Sequence, residues 1–561
     1  MFKQNKMKLR LLVICLICCL IIPTINLVNA APTQDDSLGT YVDAFSDSTG
    51  LSTSDAYLDS NNEKIVLAPT VREEFVENFQ DIEQIDSTNS SVDLDLSANQ
   101  VRINQQWVNE VNISNTSSTA SQSPDIAIDT NNNKYIVWRE DDGAGKSQAY
   151  YRSYDGAQWS AIENVSDNNG NVNKVVIDID DNDHPYIAWN DNSTGSYEIY
   201  YRSYDGAQWS SVTNISNTTS TNSYSPTFTI DSLNQLHFAW REGGAGGAIY
   251  CSSNGSQSNM TAGSSYIILD EPSIAVDSNS QLHLAWQNNN TLQTGNGYID
   301  YNVDLGLGAG GGRISFTADA SYPILRLDSA DQPHIVWEEN ESGSKEIYYL
   351  LYEGVVASGN NLSNNAGASV NPNFVLSASN SPYLVWQDNT NGNQEIYYRY
   401  LNGSEWITTE NISNNSSDSV SPAIDLDIYN KPQFVWQDDN NGIDDVYYQD
   451  SEFKTSGVIQ SLKMNSYSTV VVDHATLTAN ATLNGQTIAY QLSADGGVHW
   501  EDVTTGVEHT FTDTGNDLRW RATLTTNNQE ISPILNSVNL SISFANQIPD
   551  FDFVEDFSGL T

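Results

Sequence analysis

Positive charge is scarce in this 561-residue chain: 23 lysines and arginines stand against 71 aspartates and glutamates, a formal charge of −48. Such a surface repels nucleic acid and anionic membrane and favours cations and solubility, so neither polyanion is expected as a partner. Cysteine is nearly absent. Three of the four (Cys15, Cys18, Cys19) fall within the first thirty residues, leaving Cys251 alone in the rest of the chain. Without that leading stretch no internal disulfide can form, and packing or bound ions must supply the stability. Long apolar runs are missing beyond "LLVICLICCLII" near the start. The chain also lacks a P-loop, H-E-x-x-H, G-x-S-x-G and any paired C-x-x-C outside the leading stretch. Nucleotide, zinc-protease, serine-hydrolase and thiol-redox chemistry therefore have no sequence support.

The leading stretch is itself informative. "MFKQNKMKLR" carries Lys3, Lys6, Lys8 and Arg10, the apolar run follows, and "PTINLVNA" ends with Val28 and Ala30. That order of basic, apolar and small residues reads as a secretory signal peptide over 1–30, too short in its apolar part for a membrane span. The mature chain is expected to be extracellular or at the cell surface, with no membrane insertion after cleavage.

What the chain has in abundance is repetition. Tryptophans stand at Trp138, Trp189, Trp240, Trp286, Trp337, Trp386 and Trp436, 46 to 51 residues apart, each ending a short run such as "KYIVW", "PYIAW" or "PQFVW". Nine residues before each is Asp129, Asp180, Asp231, Asp277, Asp328, Ser377 or Asp427; fourteen before, a proline in all units but the second. Each unit reads as four strands: a Pro-started run, the Trp strand, a tyrosine strand such as "EIYYRSYD", and a short strand ending "WSAIENVS". Strands apolar on both faces need cover on both sides, and radial repetition at this period gives it in a β-propeller. "QQWVNEVNIS" (105–114) matches the last strand of a unit yet precedes the first, while the seventh unit ends at "VYYQDSEF" without one. The expected fold is therefore all-β: a seven-bladed propeller over 105–454 whose last blade the N-terminal strand closes, hiding both edges.

"YYRSYDGAQWS" occurs twice, at 150–160 and 200–210, and reads as the outer hairpin of neighbouring blades. Ser153, Asp155, Gly156 and Trp159, and again Ser203, Asp205, Gly206 and Trp209, resemble the S-x-D-x-G-x-x-W box of BNR-repeat, sialidase-like propellers with one residue deleted. The full box appears once, "SADGGVHW" at 493–500, beyond the propeller. The resemblance covers about 105–452 and implies a fold; in sialidases a cluster of inner-strand arginines, a Tyr/Glu pair and an Asp acid do the chemistry. This chain lacks the family's R-I-P motif. Arg139 and Arg241 follow blade tryptophans, Arg152, Arg202 and Arg399 sit on third strands, and only Arg326 falls on an expected innermost strand.

Flanking segments are modular. Residues 455–545 alternate apolar and polar between turn signals and read as an immunoglobulin-like β-sandwich, with Ser493–Trp500 one of its hairpins. Residues 31–104 read as a low-complexity segment carrying the related motifs "YVDAF" (41–45) and "FVENF" (75–79). A third copy, "FVEDF" (553–557), stands in the linker 546–561, as the start of a further module of a longer surface protein would.

Three sets of residues could carry function. Two positions past the tryptophans stand Glu140, Asp191, Glu242, Asn288, Glu339, Asp388 and Asp438, a ring of carboxylates that could face a cation or a sugar, or cap its own loops. Repetition in every blade points to caps. "DIDDND" places Asp178, Asp180 and Asn182 at alternate positions, the opening of a calcium loop, without the glycine and distal Glu of an EF-hand; turn chemistry is the competing reading. His237, His283 and His334 share one repeat position with tyrosines and a glutamine, which marks a packing site with a polar tip. No cofactor is called for, and calcium is the one ion the pattern allows. The sequence thus points to a non-catalytic protein that binds or displays, with a glycan or another surface component as partner. A carbohydrate-cleaving enzyme using channel carboxylates is the alternative, and a pure spacer the third reading.

Overall fold

The computed structural model describes residues 110–545 apart from short loop stretches, together with several segments between 56 and 107. The expected signal peptide and the first and third copies of the F-V-E-x-F motif lie outside the described residues. Every named element is a strand.

The first blade shows how the sequence builds a unit. Ser121–Ile128, Lys134–Asp141, Ser147–Tyr154 and Glu163–Asn164 pair antiparallel in chain order. Trp138, on the second strand, is wholly buried and stacks on Tyr150 of the third, with ring centroids 6.2 Å apart. The turn between the first two strands is closed by Asp129, whose carboxylate accepts the backbone N–H groups of Asn131 and Asn133 at 2.9 and 2.8 Å. The same closure recurs at Asp180, Asp231, Asp277, Asp328 and Asp427, and the Ser377 hydroxyl serves Ser381 in the same way. This explains the fixed offset of nine residues: one carboxylate holds two orphan donors in a tight hairpin.

Those hairpins also form a belt. The third turn residue takes a left-handed conformation (Asn132 φ 63°, Asp183 62°, Asn234 59°, Asn380 65°, Asn430 58°), which short polar side chains tolerate. Its side chain accepts a backbone N–H from the neighbouring blade: Thr130 to Asp183, Asp181 to Asn234, Ser278 to Asp331, Ser329 to Asn380, Ala378 to Asn430, and Ile428 back to Asn132. The last of these joins the seventh blade to the first.

Six more blades follow, with innermost strands at Val172–Ile179, Ser223–Ile230, Ile267–Val276, Ala320–Leu327, Ser369–Leu376 and Ser419–Leu426. Neighbouring innermost strands lie side by side round the ring, and Ser419–Leu426 lies against Ser121–Ile128. The seventh sheet takes its outer strand from the N-terminal side: Val111–Asn112 pairs with Asp445–Gln449. Just before it, Gln105–Trp107 pairs with Ser451–Phe453, and Trp107 does for the last blade what the hairpin tryptophans do elsewhere. In "YYRSYDGAQWS" Asp155 accepts from Ala157 and Gln158, and Trp159 packs edge-on against Tyr448 of the preceding blade at 5.4 Å. The duplicated stretch is an inter-blade wedge.

The domain boundaries differ from the sequence expectation. Residues 31–104 are not merely a low-complexity leader to the propeller, because Thr70–Glu77 and Gln100–Ile103 both pair with Ile534–Ala545 of the sandwich. Val92–Asp95 pairs with Gln100–Ile103 at the sheet's edge, and Ser456–Gln460 belongs to the facing sheet. Ile85 and Val101 are buried in one core with Val472, Leu477, Trp520 and Leu540. The sandwich is therefore assembled from both sides of the propeller, which is inserted within it. A short motif such as "FVENF" could not reveal this, since its partner strand lies more than 450 residues away. Arg102, buried at the seam, donates to the Tyr429 carbonyl in the seventh blade's hairpin at 2.8 Å.

Val101, with no exposed surface, comes to the sandwich core from the far side of the insertion. Val101→Ala should destabilise the sandwich by about 2 kcal/mol, read as earlier loss of the Trp520 near-ultraviolet signal on heating. If the sandwich melted unchanged, the interleaved core would be wrong.

Candidate functional site at the mouth of the central channel

The ring of carboxylates past each tryptophan does not face outward. Glu140, Asp191, Glu242, Glu339, Asp388 and Asp438 are all buried. Each accepts the indole N–H of its own blade tryptophan, at 2.8, 2.7, 2.9, 2.7, 3.4 and 3.3 Å in that order. Ser121, Ser223, Ser369 and Ser419, at the start of the innermost strands, add hydroxyl donors, and Asn168, Asn365 and Asn415 reach in from the connection between blades. As ligand-face candidates these six are corrected: their lone pairs are taken up inside the fold.

The calcium-like string is also taken apart by the fold. Asp180 closes its hairpin on Asn182 and His184, while Asp178 points into the channel and accepts the Ile179 N–H. Asp178, Asp180 and Asn182 therefore do not converge, and no group of three or more His, Cys, Asp or Glu among the described residues is arranged for a metal ion. The three histidines are buried and bonded: His237 between Asp231 and Ser253, His283 on the Tyr301 hydroxyl, His334 on that of Tyr349.

Deep in the channel lies a group that sequence reasoning split up. Asp125, Asp178 and Asp425 come from the innermost strands of the first, second and seventh blades, and Arg326 from the fifth. Asp125 accepts the Ile177 N–H of the next blade at 3.0 Å, and Asp425 that of Ile128 at 2.8 Å, so these carboxylates satisfy strand edges that border the channel. Enclosed by protein yet partly reached by water, they are pushed up: Asp125 and Asp178 to about 6 and Asp425 to about 7. Burial is the main cause. Backbone donors and the Arg326 charge oppose it. Arg326 is exposed, donating to the Leu325 carbonyl at 3.0 Å.

The mouth on the side of the loops after the Trp strands is built by bulges. Six of the seven innermost strands slip register just before a proline, and the residue ahead of the proline is left-handed: Ser123 (φ 52°), Ser225 (51°), Glu271 (42°), Tyr322 (52°), Asn371 (51°), Ser421 (51°). A bulge admits a residue without an N–H and turns the preceding side chain out of the pleat. Four of these positions hold small Ser or Asn-like residues, but Glu271 and Tyr322 break the pattern. A bulky aromatic held at positive φ costs roughly 1–3 kcal/mol, and Tyr322 is 43% exposed.

Charged and aromatic groups gather around these two. Lys174 of the second blade lies 3.6 Å from Glu271 of the fourth, a reach past the third blade that only the axial opening permits. Arg241 pairs with Asp270 at 3.0 Å and lies 4.8 Å over the Tyr224 ring. Ser225 contacts Glu271 at 3.2 Å, and Glu338 pairs with Lys345. Burial, then the Glu271 charge, raises the Asp270 carboxyl, and Arg241 opposes them; burial, then Glu271, Glu338 and Asp270, raises the Tyr322 hydroxyl. The arrangement offers a carboxyl raised by burial, further carboxylates, three cations and aromatic rings within one sector of the mouth. The remaining arginines do not join it. Arg152, Arg202 and Arg399 donate to carbonyls of Ile113, Val165 and Leu362 in the preceding blades, and Arg139 bonds Gln122. Sequence reasoning passed over the mouth because it compared tryptophan-linked positions; the signal was in the residue before each proline.

No family model matches the chain, and no curated protein matches it. Among solved structures it is similar to an ulvan lyase of polysaccharide lyase family PL25, with 10% identity over 60% of this chain and 95% of that one and a TM-score of 0.44. It is also similar to an α-L-arabinanase from Penicillium chrysogenum (12%, 54% and 100%, TM-score 0.40). A third is a mutant Trypanosoma rangeli sialidase displaying trans-sialidase activity (10%, 79% and 96%, TM-score 0.35).

Asp191 is wholly buried and accepts from Trp189, Asn168 and Ser193. Asp191→Ala should cost about 3 kcal/mol or more by orphaning those donors, seen as a lower denaturant midpoint, with Asp191→Asn milder. An unchanged midpoint would return the ring to the list of surface ligands.

The channel aspartates carry a pH signature. An unfolded Asp loses its proton near pH 4, whereas folded Asp425 does so at about 7. Stability is therefore lost as pH rises through that window and is recovered on acidification. Asp425→Asn cannot titrate, so its melting temperature should fall less steeply than the parent's as pH is raised through this window. Parallel curves would show that the carboxyl is not perturbed.

Proposed function

We propose that this is a secreted or cell-surface protein that binds a glycan at the channel mouth, without cleaving it. The observation that supports this reading is the concentration of Tyr224, Arg241, Asp270, Glu271 and Tyr322 in one sector, where the blade repeat departs from its own pattern. Sugars are held by rings that stack on apolar faces and by charged or amide groups that bond hydroxyls, and this sector carries both. Arg241 and Lys174 are already paired with carboxylates, which favours a neutral or hydroxyl-rich ligand over a strongly anionic one.

A second reading has its own support. Asp270, its carboxyl raised by burial, stands beside Glu271, and a pair of carboxyl groups is what glycoside cleavage uses. The Arg241 side chain, tied to Asp270, is not part of an arginine triad, so a sialidase is the less fitting member of that class.

A glycan array probed with the secreted chain, with calcium and again with a chelator, tests both readings. Saturable binding that weakens at least about tenfold in Tyr322→Ala and Arg241→Ala is expected. Silence from folded protein would leave a spacer or protein-binding scaffold. Release of new reducing ends from a bound glycan, abolished by Glu271→Gln, would establish the enzyme instead.

A further inference from the structure

Where neighbouring blades meet on the outside of the propeller, a tyrosine of one blade's third strand is covered by an aromatic wedge from the next. Trp209 covers Tyr151 at 5.1 Å, Trp406 covers Tyr349 at 5.2 Å, Trp159 covers Tyr448 at 5.4 Å, and Tyr352 covers Tyr301 at 5.0 Å. Trp107 sits between Tyr398 and Phe434, 5.7 and 5.5 Å from them. The covered tyrosines are 3 to 6% exposed.

The junction of the second and third blades is different. It has the same aromatic pair as the Trp107 seat: Tyr201 and Phe238 lie 5.4 Å apart, as Tyr398 and Phe434 lie 5.1 Å apart. Tyr201 occupies the position of Tyr398, and Phe238 that of Phe434. The third blade supplies no wedge, because its third strand Ala248–Ser253 turns directly into Ser256–Asn259. A cleft of about 480 Å³ opens over the pair instead, and Tyr201 is left partly exposed.

The cleft is held open by the same contact that supports the other junctions. Elsewhere the guanidinium of Arg152, Arg202 or Arg399 lies beneath the hairpin tryptophan and donates to a carbonyl of the preceding blade. Here Gln257 reaches the equivalent carbonyl, Ile215, and that of Ser216. The floor is the partly exposed Tyr201 and Leu236, with Phe238 buried beneath them; Asn214, Asn217 and Gln235 stand at the rim; no lining residue is charged. The Glu that accepts the indole N–H at two other junctions (Glu163 for Trp209, Glu410 for Trp107) is Thr213 here.

We propose that this cleft is a second binding site, which takes a single neutral pyranose ring. A sugar ring can lie against the partly exposed Tyr201, and neutral amides around an apolar floor suit hydroxyls where a charged ligand would find no partner. A peptide aromatic would use the floor and leave most of the amide rim unbonded, which costs affinity. The assignment stands on this junction's own geometry and does not depend on the channel mouth.

Glucose, galactose, mannose and N-acetylglucosamine, titrated singly into the secreted chain with saturation-transfer NMR and calorimetry, decide the matter. At least one should bind, and both Tyr201→Ala and Thr213→Trp should weaken it about tenfold or more. Thr213 is exposed, so that variant folds even if Tyr201→Ala does not, and its indole covers the floor. Tyr322→Ala should leave this binding intact, which separates it from the mouth. No binding by any of the four sugars, binding unaffected by Thr213→Trp, or binding of free indole in place of all four would each overturn the proposal.

Discussion

The bond from each blade's indole N–H to the carboxylate two residues later governs the rest of the propeller. A wholly buried tryptophan needs an acceptor for its one donor, and a buried carboxylate needs several donors. Each solves the other's problem. The carboxylate's remaining lone pairs then draw in a serine from the start of the innermost strand and an asparagine from the inter-blade connection. One contact so fixes the second strand, the loop after it, and the way the preceding blade hands over the chain. The fourth blade shows what happens without it: Asn288 stands in place of the carboxylate, and the Trp286 indole N–H has no hydrogen-bond partner among the described residues.

Closure needs two further devices. On one face, side chains of left-handed Asn and Asp residues stitch hairpin to hairpin until Ile428 meets Asn132. At the outer rim, Val111–Asn112 completes the last blade, so that neither end of the seven-blade array offers a free edge. The sandwich repeats this logic on a larger scale. Its strand Ile534–Ala545 holds Thr70–Glu77 on one side, which brings the two ends of the described chain together and clamps the propeller's entry and exit. An insertion of this kind lets one domain constrain the other without a large interface between them.

Much of this was legible in the sequence because the repeat reports on itself. Tryptophan, aspartate and proline recur at fixed offsets, and each offset has one physical cause: a buried indole, a hairpin cap and a strand bulge. Strand closure was legible too, since "QQWVNEVNIS" was displaced from its expected place. What stayed hidden had no local signal. The pairing of Thr70–Glu77 with Ile534–Ala545 is set by the sandwich core, and no pattern within "TVREEFVE" names its partner. The burial of Glu140 and its counterparts was obscured by their charge, which usually marks solvent. Here the indole and serine donors make burial tolerable.

A repeat protein tells function by its irregularities. Positions that are equivalent in all blades answer to architecture, which is why the carboxylate ring and the histidine position proved to be bonded inside the fold. The departures fall in two places. At the mouth, glutamate and tyrosine replace small residues at bulges that would be easier to form without them, so the backbone strain at Tyr322 is retained against the local preference. At the junction of the second and third blades, a wedge present elsewhere is replaced by a tight hairpin, while Gln257 preserves the spacing that the wedge would have required. A junction free to collapse would bury Tyr201 and gain apolar contact. The cost of leaving that surface open is met at this junction, on the outside of the propeller and away from the channel mouth.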